Sequence, residues 1–365
     1  MTDSGLSEDN MAEKNMAEGE TAEADTTSGG SEDDYDAALE LDDDLEDDDL
    51  DDDDDEDDDG FEDPAEYLKR ISREPMEGFD QSTLPSGFRS GFVTFVGRPN
   101  VGKSTLLNRI LGEKVSIVSD KPQTTRHQIR GVMTRPDCQV VFVDTPGIHK
   151  PRTLMGSRLN DTALGSMGEV DVVCMLVDLT APIGGGDEWV AEHVPANAVI
   201  VLNKTDRASH ETIVTQLQRA SELERAEYFP ISARTGEGVP ELLEYLVSRM
   251  PEGPKWYPDD MVTDNEDAFW VAELVREKLL EVTRREVPHS IATRCTEWEW
   301  PLIRVEILVE RESQKPIVIG KGGAILKEVG TQVRKQLPEG AFLELHVKVD
   351  KDWQRRPRAL ERLGY

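Results

Sequence analysis

Gly97-Arg-Pro-Asn-Val-Gly102-Lys103-Ser104 spells the pattern G-x-x-x-x-G-K-[ST]. That spacing lets backbone N–H groups curl around phosphate oxygens while a lysine and a hydroxyl reach in. The glycines permit the bend, and the start of the following helix adds a favourable partial positive charge. Lys103 is expected on the β- and γ-phosphates and Ser104 on Mg²⁺; the whole cradle takes in Gly97, Asn100, Val101, Gly102, Lys103, Ser104 and Thr105. Asp144-Thr-Pro-Gly147 follows the apolar run Val140–Val143. Asp144 can hold Mg²⁺ directly or through water, and Gly147 can bring its bare N–H to the γ-phosphate. Asn203-Lys204-Thr205-Asp206 ends the run Val199–Leu202. A carboxylate can accept hydrogen bonds from guanine N1–H and N2–H₂, and adenine offers neither donor there. Asp206 is therefore the base selector, with Asn203 and Lys204 shaping the slot and Ser232-Ala233 closing it. In this order the four motifs imply GTP/GDP and Mg²⁺ as cofactors and argue against an ATP-dependent kinase.

The elements that must hold these residues are short apolar strands alternating with helical patterns. Strands are expected at Phe92–Val96, Gln128–Met133, Gln139–Val143, Val170–Val177, Val199–Leu202 and Tyr228–Ile231, with amphipathic stretches such as Ser104–Leu111 and Glu241–Met250 between them. Such alternation predicts a mainly parallel sheet covered on both faces, with phosphate ligands at the carboxyl ends of the strands.

Charge divides the chain. Its 365 residues carry 75 acids and 41 bases, a formal charge of −34. Residues 1–60 hold 29 of the acids and one base, Lys14. Like charges at that density repel and extend a chain, so residues 1–85 are expected as a disordered acidic tail with no fold. Its carboxylates are expected to compete with RNA for a basic surface of the same chain. No apolar run approaches the roughly 18 residues of a membrane span, and the start has no secretory signature. Cys138, Cys174 and Cys295 form neither a disulfide framework nor a metal spacing.

Beyond the proline-rich residues 251–263 the pattern changes. A charged helix is expected over Glu266–Arg285, strands at Ser290–Trp298, Leu302–Glu310 and Phe342–Val349, and a helix ending near Leu337. Gly320-Lys321-Gly322-Gly323 lies between the apolar segments Pro316–Ile319 and Ala324–Val329. In KH domains a G-x-x-G loop in this setting grips the backbone of single-stranded RNA beside an apolar groove for the bases. From Lys315 to Tyr365 there are 11 bases against 6 acids, an electrostatic footprint for phosphate. Expected RNA contacts are Lys315, Ile319, Gly320, Lys321, Gly322, Gly323 and Lys327, with Arg355, Arg356 and Arg358 weaker. Of Ile317, Val318 and Ile319 at least one belongs to the core. Trp298, Trp300 and Trp353 read as packing residues before stacking ones. The fold class is therefore α/β: a P-loop GTPase domain (86–250), a linker (251–263) and a small α/β KH-type domain (264–365) behind the tail.

Four strings carry a resemblance: GRPNVGKSTLLN at Gly97–Asn108, KPQTTRHQIRG at Lys121–Gly131, VDTPGIH at Val143–His149 and REVPHS at Arg285–Ser290. Over about residues 90–365 the chain is similar to translation-factor-type GTPases and, more narrowly, resembles the Era family. The resemblance implies a first switch at Gln123–His127, with Thr125 on Mg²⁺ and the γ-phosphate and Thr124 in loop hydrogen bonding. It implies that Asn100 helps hold K⁺ near the phosphates. Arg126 and His127 are expected in solvent and His149 at the surface. Ras-like enzymes orient the attacking water with a glutamine after the D-x-x-G glycine; Ile148 stands there instead, so unaided hydrolysis is expected to be slow, on the order of 10⁻⁴ s⁻¹. The implied partner is single-stranded RNA, the 3′ end of small-subunit (16S) rRNA on the small ribosomal subunit, bound by a cytoplasmic monomer during subunit assembly. GTP and GDP are expected to orient the two domains differently, with Pro251–Pro258 and the helix after it carrying the motion. The alternative is a signalling switch whose C-terminal domain meets a protein or, peripherally, the membrane.

Overall fold

In the computed structural model of the chain, residues 81–365 are described, except Arg152 and Glu286 and the side chain of Ser82. The acidic tail and its expected competition with RNA therefore lie outside the described residues, save at their last positions. There Gln81–Thr83 form a short 3₁₀ turn, and the Gln81 amide exchanges hydrogen bonds with the Lys255 backbone at 2.8 and 2.9 Å.

Strands β1 (Arg89–Gly97), β2 (Ile129–Arg135), β3 (Cys138–Asp144), β4 (Val172–Asp178), β5 (Val199–Asn203) and β6 (Glu227–Pro230) form one sheet in the order β2-β3-β1-β4-β5-β6. All neighbours run parallel except β2, which is antiparallel to β3. Every residue of β3 and β5 is buried, which is why these strands read as unbroken apolar runs: both faces are covered. Helices α1 (Lys103–Leu111), α2 (Leu154–Gly165), α3 (Gly185–His193), α4 (His210–Ser221) and α5 (Val239–Arg249) supply the covers. Leu106 and Leu107 of α1 and Leu242 and Leu246 of α5 pack against Phe95, Val140 and Val201. Val190 and Ala220 close the opposite face over Met175, Ile200 and Leu202.

The second sheet has the order β7 (Ala292–Glu299), β8 (Leu302–Val309), β9 (Phe342–Val349), antiparallel then parallel. Helices α6 (Asp267–Val282), α7 (Lys315–Ile319) and α8 (Ala324–Arg334) share a core with it through Val271, Val275, Leu279, Val318, Val329 and Val333. Helix α6 stops three residues short of the expected Arg285, where Thr283 turns its hydroxyl onto Leu279 O. The final turn and α9 (Pro357–Arg362) bring Trp353, Leu360 and Leu363 against Met155 and Leu159 of α2. Trp353 is fully buried and donates its indole N–H to Ser290 O, as packing predicts. Trp298 and Trp300 depart from that expectation at 40 % and 54 % exposed, because they sit at the tip of the β7–β8 hairpin beyond the helices.

Residues 251–263 do not hang free. Ser90 N donates to Pro251 O, Gln139 takes the amides of Trp256 and Tyr257 on one oxygen and donates to Tyr257 O, and Val132 N donates to Val262 O. The expected hinge at Pro251–Pro258 is thus bound to the first sheet.

Candidate functional site

A cavity of about 370 Å³ opens where the loops leave the carboxyl ends of β1, β3 and β5. Of the residues read from sequence, Asn100, Gly102, Lys103, Ser104, Thr105, Thr125, Gly147, Asn203, Lys204, Asp206 and Ala233 line it. The other four stand behind the wall. Gly97, at φ 146°, accepts Ile148 N on its carbonyl, and a Cβ there would sit 2.5 Å from Leu176 O. Val101 is buried and its carbonyl accepts from Asn203 Nδ2 at 2.8 Å. Ser232 donates to Asp206 Oδ1 at 2.7 Å. Asp144 forms the floor and is wholly buried.

Asn203 is the tie-beam of the base end. Its Nδ2 holds the phosphate loop, and its Oδ1 accepts the Ala233 N–H at 2.9 Å. Lys204 adopts φ 75° and reaches Asp178 at 2.5 Å. Burial alone would raise the Asp178 carboxyl, but the hydrogen bonds from Lys204 and Thr180 and the lysine charge pull it below the ordinary range.

At the phosphate end Lys103 Nζ lies 3.3 Å from both Gly97 O and Arg98 O. Burial pushes its ammonium down to about 8, with the Asp144 charge pulling the other way. Ser104 Oγ donates to Asp144 Oδ2 at 2.6 Å, Thr125 Oγ1 stands 2.9 Å from Ser104 Oγ, and Thr125 Oγ1 donates to Asp144 Oδ2 at 3.4 Å. Burial raises the Asp144 carboxyl, and Lys103 and the hydroxyls only partly offset it. Its Oδ1 is buried with no hydrogen-bond partner. Two hydroxyls and a carboxylate with one oxygen unpaired fit a hard divalent cation such as Mg²⁺, which takes few protein ligands and completes its shell with phosphate and water. Thr124 instead donates to Lys121 O at 2.7 Å, the loop bond expected of it. Asn100, at φ 63°, donates to Asp120 O at 2.8 Å and so ties the two loops across the cavity mouth.

Three expectations fail here, those for Arg126 and His127 because the switch loop lies against the second domain and that for His149 because its ring packs between the two switch segments. Arg126 is 2 % exposed, donates to Ile291 O and His289 O, and lies over the rings of Trp353 and Tyr365. His127 is half-buried between Phe269 and Tyr365. Burial pushes its imidazole down to about 4; Glu273 opposes this, while Arg276 and Arg126 add to it. His149 is half-buried as well, its ring 3.1 Å from Gly147 O and 3.2 Å from Gln123 Nε2, bridging the two switch segments.

Sequence reasoning passed over Ser116 and Asn108. Ser116 Oγ donates to Asp144 Oδ2 at 2.9 Å. Asn108 holds Ser116 there by accepting the Val115 and Ser116 amides on one oxygen and donating to Ser116 O. The signal available was Asn108 itself, a polar residue between the apolar pairs Leu106-Leu107 and Ile110-Leu111 of α1.

On the second domain Gly320, Gly322 and Gly323 all have positive φ, and a Cβ on Gly320 would meet Ile325 N at 2.9 Å. Lys321 and Lys327 are exposed, and Lys315 and Ile319 half-buried. Val318 is the core residue of its trio, and Ile317, not among the RNA contacts expected from sequence, is the exposed apolar one at 48 %.

Comparison with known proteins places these two regions separately and together. Residues 92–204 match the model of the 50S ribosome-binding GTPase family, and residues 286–354 that of the KH domain. The chain is 46 % identical over 296 residues to GTPase Era of Mycolicibacterium smegmatis, covering 76 % of this chain and 99 % of that one. It is 46 % identical over 297 residues to GTPase Era of Mycobacterium tuberculosis, with the same coverage. A crystal structure of Era in complex with MgGDPNP and nucleotides 1506–1542 of 16S ribosomal RNA superimposes with TM-score 0.73 at 39 % identity, over 76 % of this chain and 99 % of that one.

Proposed function

Because the chain belongs to the Era GTPase family, we propose that it is a GTP-driven switch that holds the 3′ end of 16S rRNA during assembly of the small ribosomal subunit. The chain is a GTPase with a C-terminal KH domain. The observation that carries the reading is a run of three residues. Thr125 points its hydroxyl at the Ser104–Asp144 corner, while the Thr124 carbonyl accepts from Arg276 and Arg126 inserts among the carbonyls of the KH domain. Loss of a γ-phosphate at one end of this run is felt at the other. A nucleotide shifts such an equilibrium only by its differential affinity for the two states.

In this reading Lys103 neutralises the β- and γ-phosphates, Ser104 and Thr125 ligate Mg²⁺ with Asp144 beneath them, and the Gly147 N–H meets the γ-phosphate. Asp206, oriented by Ser232, selects guanine. Asn100 sits where K⁺ would supply the positive charge an arginine finger supplies elsewhere; equal hydrolysis rates in K⁺ and Na⁺ would remove that role. Lys321 and the glycine loop grip the RNA backbone, with Lys315, Lys327, Ile319 and Ile317 beside them. The protein acts as a monomer in the cytoplasm. The alternative of a membrane-contacting switch draws nothing from α6, whose Val271, Leu274, Val275 and Leu279 are buried in the KH core. The test is ultraviolet crosslinking of the GTP-loaded chain in cell extract, followed by sequencing of the attached RNA. Enrichment of the 3′ end of 16S rRNA at peptides containing Lys321 is expected; recovery of no RNA, or of RNA without preference, ends the proposal.

A further inference from the structure

The chain from Gly112 to Gln128, between α1 and β2, has no helix or strand. Loops longer than about 12–15 residues without secondary structure are uncommon in a compact domain, and those that are ordered are usually functional. Ile117, Val118 and Ser119 of this loop line one wall of the nucleotide cavity, and Thr124 and Thr125 line another. Both ends of this stretch are held by a single helix of the other domain. Glu277 of α6, its side chain 3 % exposed, accepts the Val118 N–H on Oε1 at 3.0 Å and Lys114 Nζ on Oε2 at 2.5 Å. One position earlier, Arg276 donates to Thr124 O at 2.5 Å, with its guanidinium fixed by two bonds to Glu273 at 2.5 and 2.7 Å. Glu273, Arg276 and Glu277 stand three and four residues apart, so they share one face of the helix. The opposite side of α6 is committed to the KH core. A buried carboxylate with an N–H partner in another domain is costly to separate, because both groups are left unsatisfied until water reaches them.

From this arrangement we infer that α6 is an outside latch on the nucleotide: Glu277 is a positioning residue that holds the pocket wall formed by Ile117, Val118 and Ser119 closed, so the place of the KH domain sets how long the nucleotide stays. The inference rests on the guanine-nucleotide reading of the cavity. It adds a direction of control opposite to the proposed switch. There the nucleotide positions the RNA-binding domain; here that domain governs nucleotide release. Movement of α6 away from the loop frees Val118 N and Thr124 O together, and the wall between them can swing outward.

The full chain loaded with Mg²⁺ and fluorescent N-methylanthraniloyl-GDP, chased with excess GDP in a stopped-flow instrument, reads the residence time. Glu277→Ala should release the nucleotide about tenfold faster than the unaltered chain, the size of effect expected for one lost charge-assisted hydrogen bond. Glu277→Gln keeps an oxygen for Val118 N and should stay within about threefold. Equal release by Glu277→Ala and the unaltered chain overturns the latch, and so does release from Glu277→Gln as fast as from Glu277→Ala. Should Glu277→Ala fail to fold, Val118→Pro removes the same hydrogen bond from the loop side, and it should also speed release about tenfold. An unchanged rate in that variant is equally fatal. If the unaltered chain fails to bind the labelled GDP at all, the guanine-pocket reading itself is lost.

Discussion

The two ligand-binding regions are built in opposite ways. The nucleotide pocket is braced by the protein's own side chains: Asn203 braces two loops at once, Ser232 aims Asp206, and Asp144 is buried under three hydroxyls. The RNA face has little of this bracing. Lys321 and Lys327 stand in solvent, and what is fixed there is mainly backbone, in the positive φ angles of Gly320, Gly322 and Gly323. A pocket that must reject adenine needs rigid, desolvated hydrogen-bond groups, whereas a surface that follows a ribose-phosphate chain needs close backbone approach and mobile charge. Single substitutions should therefore act steeply in the first region and gently in the second.

The steepest change is expected at the base slot. Asp206→Asn should weaken GTP binding by about a thousandfold and improve binding of xanthosine triphosphate, whose C2 carbonyl suits an amide donor; nucleotide titration reads both. Unchanged GTP affinity would remove Asp206 from the base slot. On the other face, Lys321→Asp combined with Gly322→Asp should lower affinity for a 16S 3′-end oligonucleotide by about ten- to thirtyfold and flatten its salt dependence, because phosphate contacts carry the salt slope. GTP hydrolysis without RNA should stay as it was, and a matching loss there would blur the contrast between the regions.

Much of the first region could be read from the chain because its chemistry is local in sequence. Gly97–Ser104 is one turn and one helix start, and Asp144 and Asp206 each follow an apolar strand. The fold class was legible for a related reason: strands covered on both faces leave unbroken apolar runs at β3 and β5. The seam between the domains was not. Arg126 and His127 look like switch charges in solvent, and nothing within ten residues of them announces that Trp353, Tyr365 and Phe269 come from more than a hundred residues away to cover them. Glu277 was hidden in the same way, among the mixed charges of an amphipathic helix. The proline-rich stretch 251–263 misled differently, since prolines that break helices also suit a strap laid across β1, β3 and β2.

The seam should respond between the two extremes. Arg126→Ala should reduce the ratio of RNA affinities in the GTP-analogue and GDP forms about fivefold without altering guanine specificity, as measured by fluorescence anisotropy in both states; this is the size expected for a coupling residue outside either site. An unaltered ratio would free the switch from this contact. The smallest effect concerns acid. The imidazole of His127 is held near 4 in the folded chain against an ordinary 6.5, so the unfolded chain binds the extra proton first. Its contribution to stability is whole above pH 6.5 and is lost as pH falls toward 4, by about 1 kcal/mol at pH 5 after allowance for its partial exposure. Glu273, Arg276 and Arg126 are the charged groups around it. His127→Gln should flatten the denaturation midpoint between pH 7 and 5 relative to the unaltered chain; parallel curves would place the ring in water.

The most direct test compares the affinity of the full chain for the 3′-terminal segment of 16S rRNA with a non-hydrolysable GTP analogue and with GDP, both with Mg²⁺. The three-residue link through Thr125 requires tighter binding in the triphosphate form, by at least about fivefold for a coupling within the usual 1–3 kcal/mol. Identical affinities in the two forms would contradict it.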